Sequence, residues 1–271
     1  MKILIYGDVY GRIGRKALAK EYKKMQESYH PDITIVNIEN ITSGRGPVTE
    51  HAQFVEDLWV DLMTLGDHSF DNMPNIWAYF EKENGKIIRP ANFYELPWEN
   101  LPWNGAQIIE KNGYKILVVQ LLWEVFMSHK VYNPFLKIDE ILESYSPESY
   151  DILIVEFHRE TTAELYGMAH HLSWRAALVY GTHTHIQTND AHILQSWTAL
   201  LTDIGMNWPF ESVIGAEFES VKKRFMTWLQ RWKIEQKLNW KYIINALLVD
   251  VNEKTWKAEE IENISFTWKL K

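Results

Sequence analysis

The 271-residue sequence predicts an α/β layered sandwich in which two sheets share a core and helices lie outside. Three observations lead there. Short apolar runs alternate with stretches of good helix formers in both halves of the chain. No linker, repeat or low-complexity tract divides the halves. Five of the apolar runs stop at an acid or a histidine.

Residues 3–6 are an apolar run of strand length, too short for a signal segment because Asp8 follows almost at once. Residues 15–25 carry Ala, Leu, Lys and Glu at a density that favours helix. A second buried strand covers 33–38, after which Ser43, Gly44, Gly46 and Pro47 mark a loop. A helix from about 50 to 59 and a short strand ending at Gly66 complete a βαβα alternation. Strands follow at 87–88, 106–109 and 116–121, the last two joined by Lys111-Asn112-Gly113, whose Asn-Gly suits a tight hairpin turn. The alternation resumes with a strand at 152–157, a helix at 162–171 and a strand at 176–180 that runs into Gly181. A helix over 212–223 precedes two closing strands, 242–251 and 258–266, around a turn at Asn252-Glu253-Lys254.

With 46% hydrophobic residues the chain can bury a large core, and a single domain spanning 1–271 is expected. The formal net charge is −8, from 28 Lys and Arg against 36 Asp and Glu, so there is no diffuse basic field to draw the protein onto duplex nucleic acid. A small phosphate ester stays compatible, because metal charge can attract it locally. The absence of cysteine excludes disulfides, thiolate ligands and Cys nucleophiles together, so any metal is held by oxygen and nitrogen. The apolar stretches 116–127 and 243–251 fall short of a membrane span, and the first contains Gln120 and Glu124. The expectation is a soluble, cytoplasmic protein.

The chemistry lies at the strand ends. Asp8, Glu39-Asn40, Asp67-His68, His158 and the pair His183 and His185 each follow a strand, at the edge where open α/β sheets bind ligands. In extended backbone His183 and His185 face one side, and imidazole suits Zn, Mn or Fe; a pair of hydrogen-bonding histidines is the plainer reading. Glu39 either bridges two cations or ends its strand in solvent. Asp8 either binds metal or caps the next helix. Gly7, Gly11 and Gly14 do not have the G-x-G-x-x-G spacing, and no G-x-x-x-x-G-K-[ST] occurs, so glycine-loop nucleotide binding falls behind. Arg45 and Arg89 are candidates to meet a phosphate, and Trp208 is the candidate for stacking on a base.

These motifs resemble the YmdB-like bacterial metallophosphoesterases, calcineurin-like enzymes of the 2',3'-cyclic-nucleotide phosphodiesterase type. The likeness covers nearly the whole chain. It shows in Gly7-Asp8-Val9-Tyr10-Gly11, Asn37-Ile38-Glu39-Asn40, Gly66-Asp67-His68 and Arg89-Pro90-Ala91-Asn92-Phe93. It continues in Asn133-Pro134-Phe135-Leu136-Lys137, Phe157-His158, Gly181-Thr182-His183-Thr184-His185 and Thr202-Asp203-Ile204-Gly205-Met206.

The resemblance implies a four-layer α-β-β-α sandwich of the metallophosphoesterase type. It implies two divalent transition metal ions, Fe or Mn with Zn as a further candidate. One would be held by Asp8, Glu39, Asn40 and His185, the other by Glu39, Asp67, His158 and His183. It implies hydrolysis of small phosphodiesters, 2',3'-cyclic nucleotides first, by a hydroxide between the metals, with His68 as general acid. The implied partner is that small substrate, with neither duplex nucleic acid nor a membrane, and a homo-oligomer is allowed. Two departures are visible. Asp67 stands where the family has Asn, adding a negative charge beside the metals, and Glu156 stands where the family often has Asp. The first supports a competing reading as a regulatory or scaffold protein with weakened turnover; a phosphomonoesterase or nuclease on the same scaffold is the other.

Overall fold

A computed structural model describes residues 1–80, 85–94, 101, 104–127, 129–146, 148–227, 233–238 and 240–270. The chain begins β1 (Lys2–Tyr6), β2 (Asp8–Val9), α1 (Gly11–Tyr29), β3 (Ile33–Asn37), α2 (Thr49–Glu56), β4 (Leu62–Thr64), α3 (Trp77–Phe80) and β5 (Ile87–Ile88). Its middle runs β6 (Ala106–Lys111), β7 (Tyr114–Leu122), α4 (Pro134–Ser144), β8 (Ile152–His158), α5 (Thr162–His171) and β9 (Leu178–Thr182). It closes with β10 (His192–Ile193), β11 (Ala199–Leu201), β12 (Met206–Pro209), α6 (Phe218–Thr227), β13 (Lys241–Val251) and β14 (Ala258–Lys269). Among the described residues, no helix is long and apolar enough to cross a membrane.

Two sheets result. One has the order β2-β12-β13-β1-β3-β4-β5, with β14 also paired to β13; the other has the order β10-β11-β9-β8-β7-β6. β1, β3, β4 and β5 are parallel, as are β7, β8, β9 and β11. Strands buried on both faces explain the unbroken apolar runs of the sequence. In β1, Ile3 and Ile5 join Ile152 and Ile154 of β8 in the core between the sheets. Leu4 and Tyr6 turn the other way, onto Ala17 and Leu18 of α1. Leu153 and Val155 of β8 likewise turn outward, onto Leu165 and Met168 of α5. This alternation of period two builds helix, sheet, sheet and helix, the four layers that the resemblance implies.

One element differs from expectation. Residues 212–217 are not helical, and α6 starts only at Phe218. The positive φ of Glu211, Ile214 and Gly215 (59°, 47° and 86°) folds that stretch into a tight turn closed by a bridge between Val213 and Ala216. The hairpin at Asn112-Gly113 matches expectation, with φ of 52° and 84°.

Two glycines separate the two consequences of a missing Cβ. At Gly113 nothing lies within 4 Å of an added Cβ, so Gly113→Ala meets only the left-handed backbone and is expected to destabilise by about 1–2 kcal/mol. Gly167 lies inside α5, where an added Cβ meets only the Phe135 ring at 3.4 Å, and Gly167→Ala is expected to stabilise by about 0.5–1 kcal/mol. Urea unfolding of both variants measures the opposite signs.

Candidate metal centre

The parallel strands of both sheets end at one seam, and their ends bring the predicted side chains together. Glu39, Asp67, His158 and His183 form one group, and Asp8, Glu39 and His185 form another, the candidate ligand atoms of each lying within 4.8 Å of one another. Glu39 belongs to both. Asp8, Glu39 and His158 are fully buried. Asp8 Oδ2 lies 3.3 Å from His185 Nε2, and His158 Nε2 lies 3.1 Å from Asp67 Oδ1 and 3.4 Å from Glu39 Oε2. His183 Nδ1 is 3.9 Å from Asp67 Oδ1, while its Nε2 pairs with Glu160 at 3.0 Å.

The electrostatics follow from packing acids away from water. Burial pushes Glu39 well above the usual carboxylate range, against the opposing pull of His158. At His158 burial disfavours the charged ring, but Glu39, Asp67 and Asp8 outweigh it and drive the pKa up to about 10. His183 goes the other way, down to about 3, through burial and the neighbouring His158. One imidazolium thus supplies the positive charge that the acids require. Two buried carboxylate oxygens, Asp8 Oδ1 and Glu39 Oε2, have no hydrogen-bond partner among the described residues. All the donors are oxygen and nitrogen, so the cluster fits divalent metal: the orphaned oxygens would supply ligands, and His158 Nε2 would give up its proton to face a cation.

Further contacts show how the sequence holds these groups. An added Cβ at Gly66 would sit 1.8 Å from Glu39 Oε2 and 2.5 Å from His158 Cε1, so only glycine lets Glu39 reach the seam. The Thr182 hydroxyl donates to Glu156 Oε1 at 3.1 Å and lies 2.9 Å from His158 Nδ1. With its only proton committed, Thr182 accepts from Nδ1–H and leaves Nε2 to face the acids. Glu156 also accepts from Asn37 (2.8 Å), Gln120 (2.9 Å) and Tyr180 (2.7 Å). The Glu-for-Asp departure therefore sits at the hub of a buried network that spans both sheets.

Several expectations change. Asp8 caps no helix, since Tyr10 is the N-cap of α1 and no side chain caps that helix. His183 and His185 are not in extended backbone, with φ of 104° and 68°. Asp203 holds this turn, accepting from Thr184 N at 2.9 Å and from Gly205 N at 2.7 Å, with the fully buried Arg159 3.8 Å away. The motif Thr202-Asp203-Ile204-Gly205 carries that signal, an acid and then a glycine just after a short strand, and the structure gives Gly205 a φ of 85°. Asn40 presents its amide nitrogen, donating to Glu39 Oε1 at 2.7 Å and to His185 Nε2 at 3.2 Å. A half-turn of the amide exchanges that nitrogen for the oxygen a metal requires. His68 and Arg45 line the same cleft as Asn40 and His185. Arg89 does not: it is buried, donates to Pro90 O at 2.8 Å and borders a separate cavity beside Ala91 and Asn104. Trp208 is packed against Tyr10 and Met206 and lies outside the cleft lining.

The fold is that of the metallophosphoesterases and 5'-nucleotidases. A 5'-nucleotidase precursor of Thermus thermophilus, 12% identical, superposes over 99% of this chain and 54% of its own with a TM-score of 0.56. Within that class the assignment is narrower: a family model described as YmdB-like protein matches residues 4–264, and the chain belongs to this family. A 2',3'-cyclic-nucleotide 2'-phosphodiesterase of Bacillus subtilis is 32% identical over 265 residues, which cover 97% of this chain and 96% of the relative. A solved structure described as a novel phosphatase, from Mycoplasma pneumoniae, is 29% identical and covers 100% of this chain and 94% of its own, with a TM-score of 0.90.

The contact at Gly66 gives a direct test. Gly66→Ala is expected to push the Glu39 carboxylate off the seam and cut bound divalent metal from about two ions per chain to under one, read by elemental analysis. Unchanged occupancy with a native circular dichroism spectrum shows that Glu39 is not shared between two ions.

Proposed function

We propose that this protein is a divalent-metal phosphodiesterase that opens small phosphodiesters, with 2',3'-cyclic nucleotides as its leading substrates. One observation carries the reading: a single buried carboxylate, Glu39, is common to two groups of acid and histidine ligands, with His68 in the adjoining cleft. The name of the Bacillus subtilis relative supports the substrate. Asp8, Glu39, Asn40 and His185 would hold one ion, and Glu39, Asp67, His158 and His183 the other. When bound, the two cations supply Lewis-acid charge that draws in the phosphoryl oxygens and makes water a stronger nucleophile.

The chain's own residues do the rest. His68 Nδ1 lies 2.9 Å from Asp71 Oδ2, and Arg45 Nη1 pairs with the same oxygen at 2.7 Å. That contact fixes the ring and leaves Nε2 for proton transfer. As water oxygen bonds to phosphorus, the bond from phosphorus to one ribose oxygen breaks, and His68 gives that oxygen its proton. A phosphomonoesterase on the same site is the second reading, favoured by the description of the Mycoplasma pneumoniae structure as a phosphatase. Relative rates on a cyclic nucleotide and a nucleoside monophosphate separate the two.

His68→Gln is expected to lower kcat on adenosine 2',3'-cyclic phosphate by roughly 10²–10⁴-fold while metal content stays put; a full rate removes His68 from the acid role. Asp67→Asn takes one negative charge from the seam. It is expected to lower KM for the anionic substrate and, by making the attacking water more acidic, to move the rise in rate to lower pH. A pH series on both proteins reads the shift, and superimposable profiles overturn the placing of Asp67 beside the ions.

A further inference from the structure

The cleft that contains Asn40, His68 and His185 extends well beyond the metal centre. Its volume is about 970 Å³, at the upper end of the ~300–1,000 Å³ typical of small-molecule sites, and its far wall is made by α6 and residues 233–238. Backbone hydrogen bonds fix that wall: Lys237 N donates to Gly215 O at 2.8 Å and Glu217 N to Glu235 O at 2.8 Å.

The charges on this wall are arranged unusually for a chain of net charge −8. The nearby lysines are neutralised, Lys237 by Glu217 at 2.7 Å and Lys241 by Glu211 at 2.9 Å. Arg45, on the near wall, is tied to Asp71. Arg224 and Lys233 line the cleft without an ion-pair partner among the described residues, against the lone lining carboxylate, Glu235. Beside them Gln236 Nε2 is buried without a hydrogen-bond acceptor. Two cations and one buried amide therefore lie at the cleft with no partner among the described residues. Unpaired guanidinium, ammonium and amide groups together suit a phosphate.

We propose that this wall is a second phosphate subsite, and that the preferred substrate is a short oligoribonucleotide whose 3' end is closed as a 2',3'-cyclic phosphate. The proposal rests on the phosphodiesterase reading above. A nucleoside with its cyclic phosphate at the metal centre carries its 5' oxygen at the opposite end of the ribose, so the next phosphate lies farther along the cleft. There Arg224, Lys233 and Gln236 hold it, and the exposed Ile234 and Leu238 offer apolar surface to the sugar and base. That phosphate takes no part in the reaction. Water adds across one P–O bond of the ring, and the freed ribose oxygen takes the proton.

The test compares metal-loaded protein on adenosine 2',3'-cyclic phosphate, its 5'-phosphorylated form, and the dinucleotide ending in the same cyclic phosphate. The added phosphate is expected to raise kcat/KM about tenfold through KM, less so at high salt. The double variant Arg224→Gln, Lys233→Gln is expected to lose most of that advantage. By calorimetry, adenosine 3',5'-bisphosphate should bind the wild type about tenfold more tightly than adenosine 3'-phosphate, and the variant nearly equally. Equal kcat/KM with and without the 5' phosphate, or an advantage that survives the double substitution, overturns the subsite while leaving the phosphodiesterase reading intact. If none of the three compounds is hydrolysed, the phosphodiesterase reading falls, and the calorimetric comparison alone decides the subsite.

Discussion

Three carboxylates with almost no access to water, those of Asp8, Glu39 and Asp67, meet at the seam between the sheets. Each ion taken out of water costs several kcal/mol unless an opposite charge or a set of donors offsets it. The surroundings follow from that demand. His158 is driven toward its charged form, Asn40 turns its N–H groups onto the acids, and Gly66 is bare because any side chain would strike Glu39. On the function proposed above, a pair of divalent cations would meet the same demand more fully than one imidazolium. The site is thus an electrostatic problem that the fold creates.

Parallel strands make the concentration feasible. They direct successive loops to one edge, so residues as far apart in the chain as Asp8 and His185 converge without either sheet being interrupted. Behind this edge a second polar layer backs these side chains. Glu156 takes hydrogen bonds from Asn37 on β3 and from Gln120 and Tyr180 on the facing sheet, so the two sheets share a polar pin within an apolar core. A buried network of this kind favours one registry of the layers over its neighbours.

Much of this was legible in the sequence, for reasons that can be named. Buried parallel strands leave unbroken apolar runs, and an acid or histidine that ends such a run reports the functional edge, as at Asp8, Glu39, Asp67 and His158. The convergence of His183 and His185 was expected on the wrong geometry. Their backbone is left-handed instead of extended, and the constraint comes from Asp203 and Arg159, which are distant in sequence. Asp203 could be noticed in its motif, but only the fold shows what its carboxylate holds. Helix α4 has a local signal of its own: Asn133 caps it by accepting from Phe135 N at 2.9 Å, and Pro134 begins it. Strands β10, β11 and β12, of two to four residues, are too short for any period to register. The wall that carries Arg224 and Lys233 is invisible to the sequence for another reason, since its meaning lies in which cations lack partners among the described residues.

The division of these acids and histidines between the sheets also orders events in time. Asp8, Glu39 and Asp67 leave the ribosome before any of the three histidines, and all three follow strands of the first sheet. His158 and His183 arrive with β8 and β9, and His185 just after them. While only the first half of the chain exists, its acids are open to water and incur no burial cost. They become a liability at the moment the second sheet docks and seals the seam. The step that completes the core is therefore the step at which these acids come to need a compensating charge, so that need arises with the closing of the molecule and not before it.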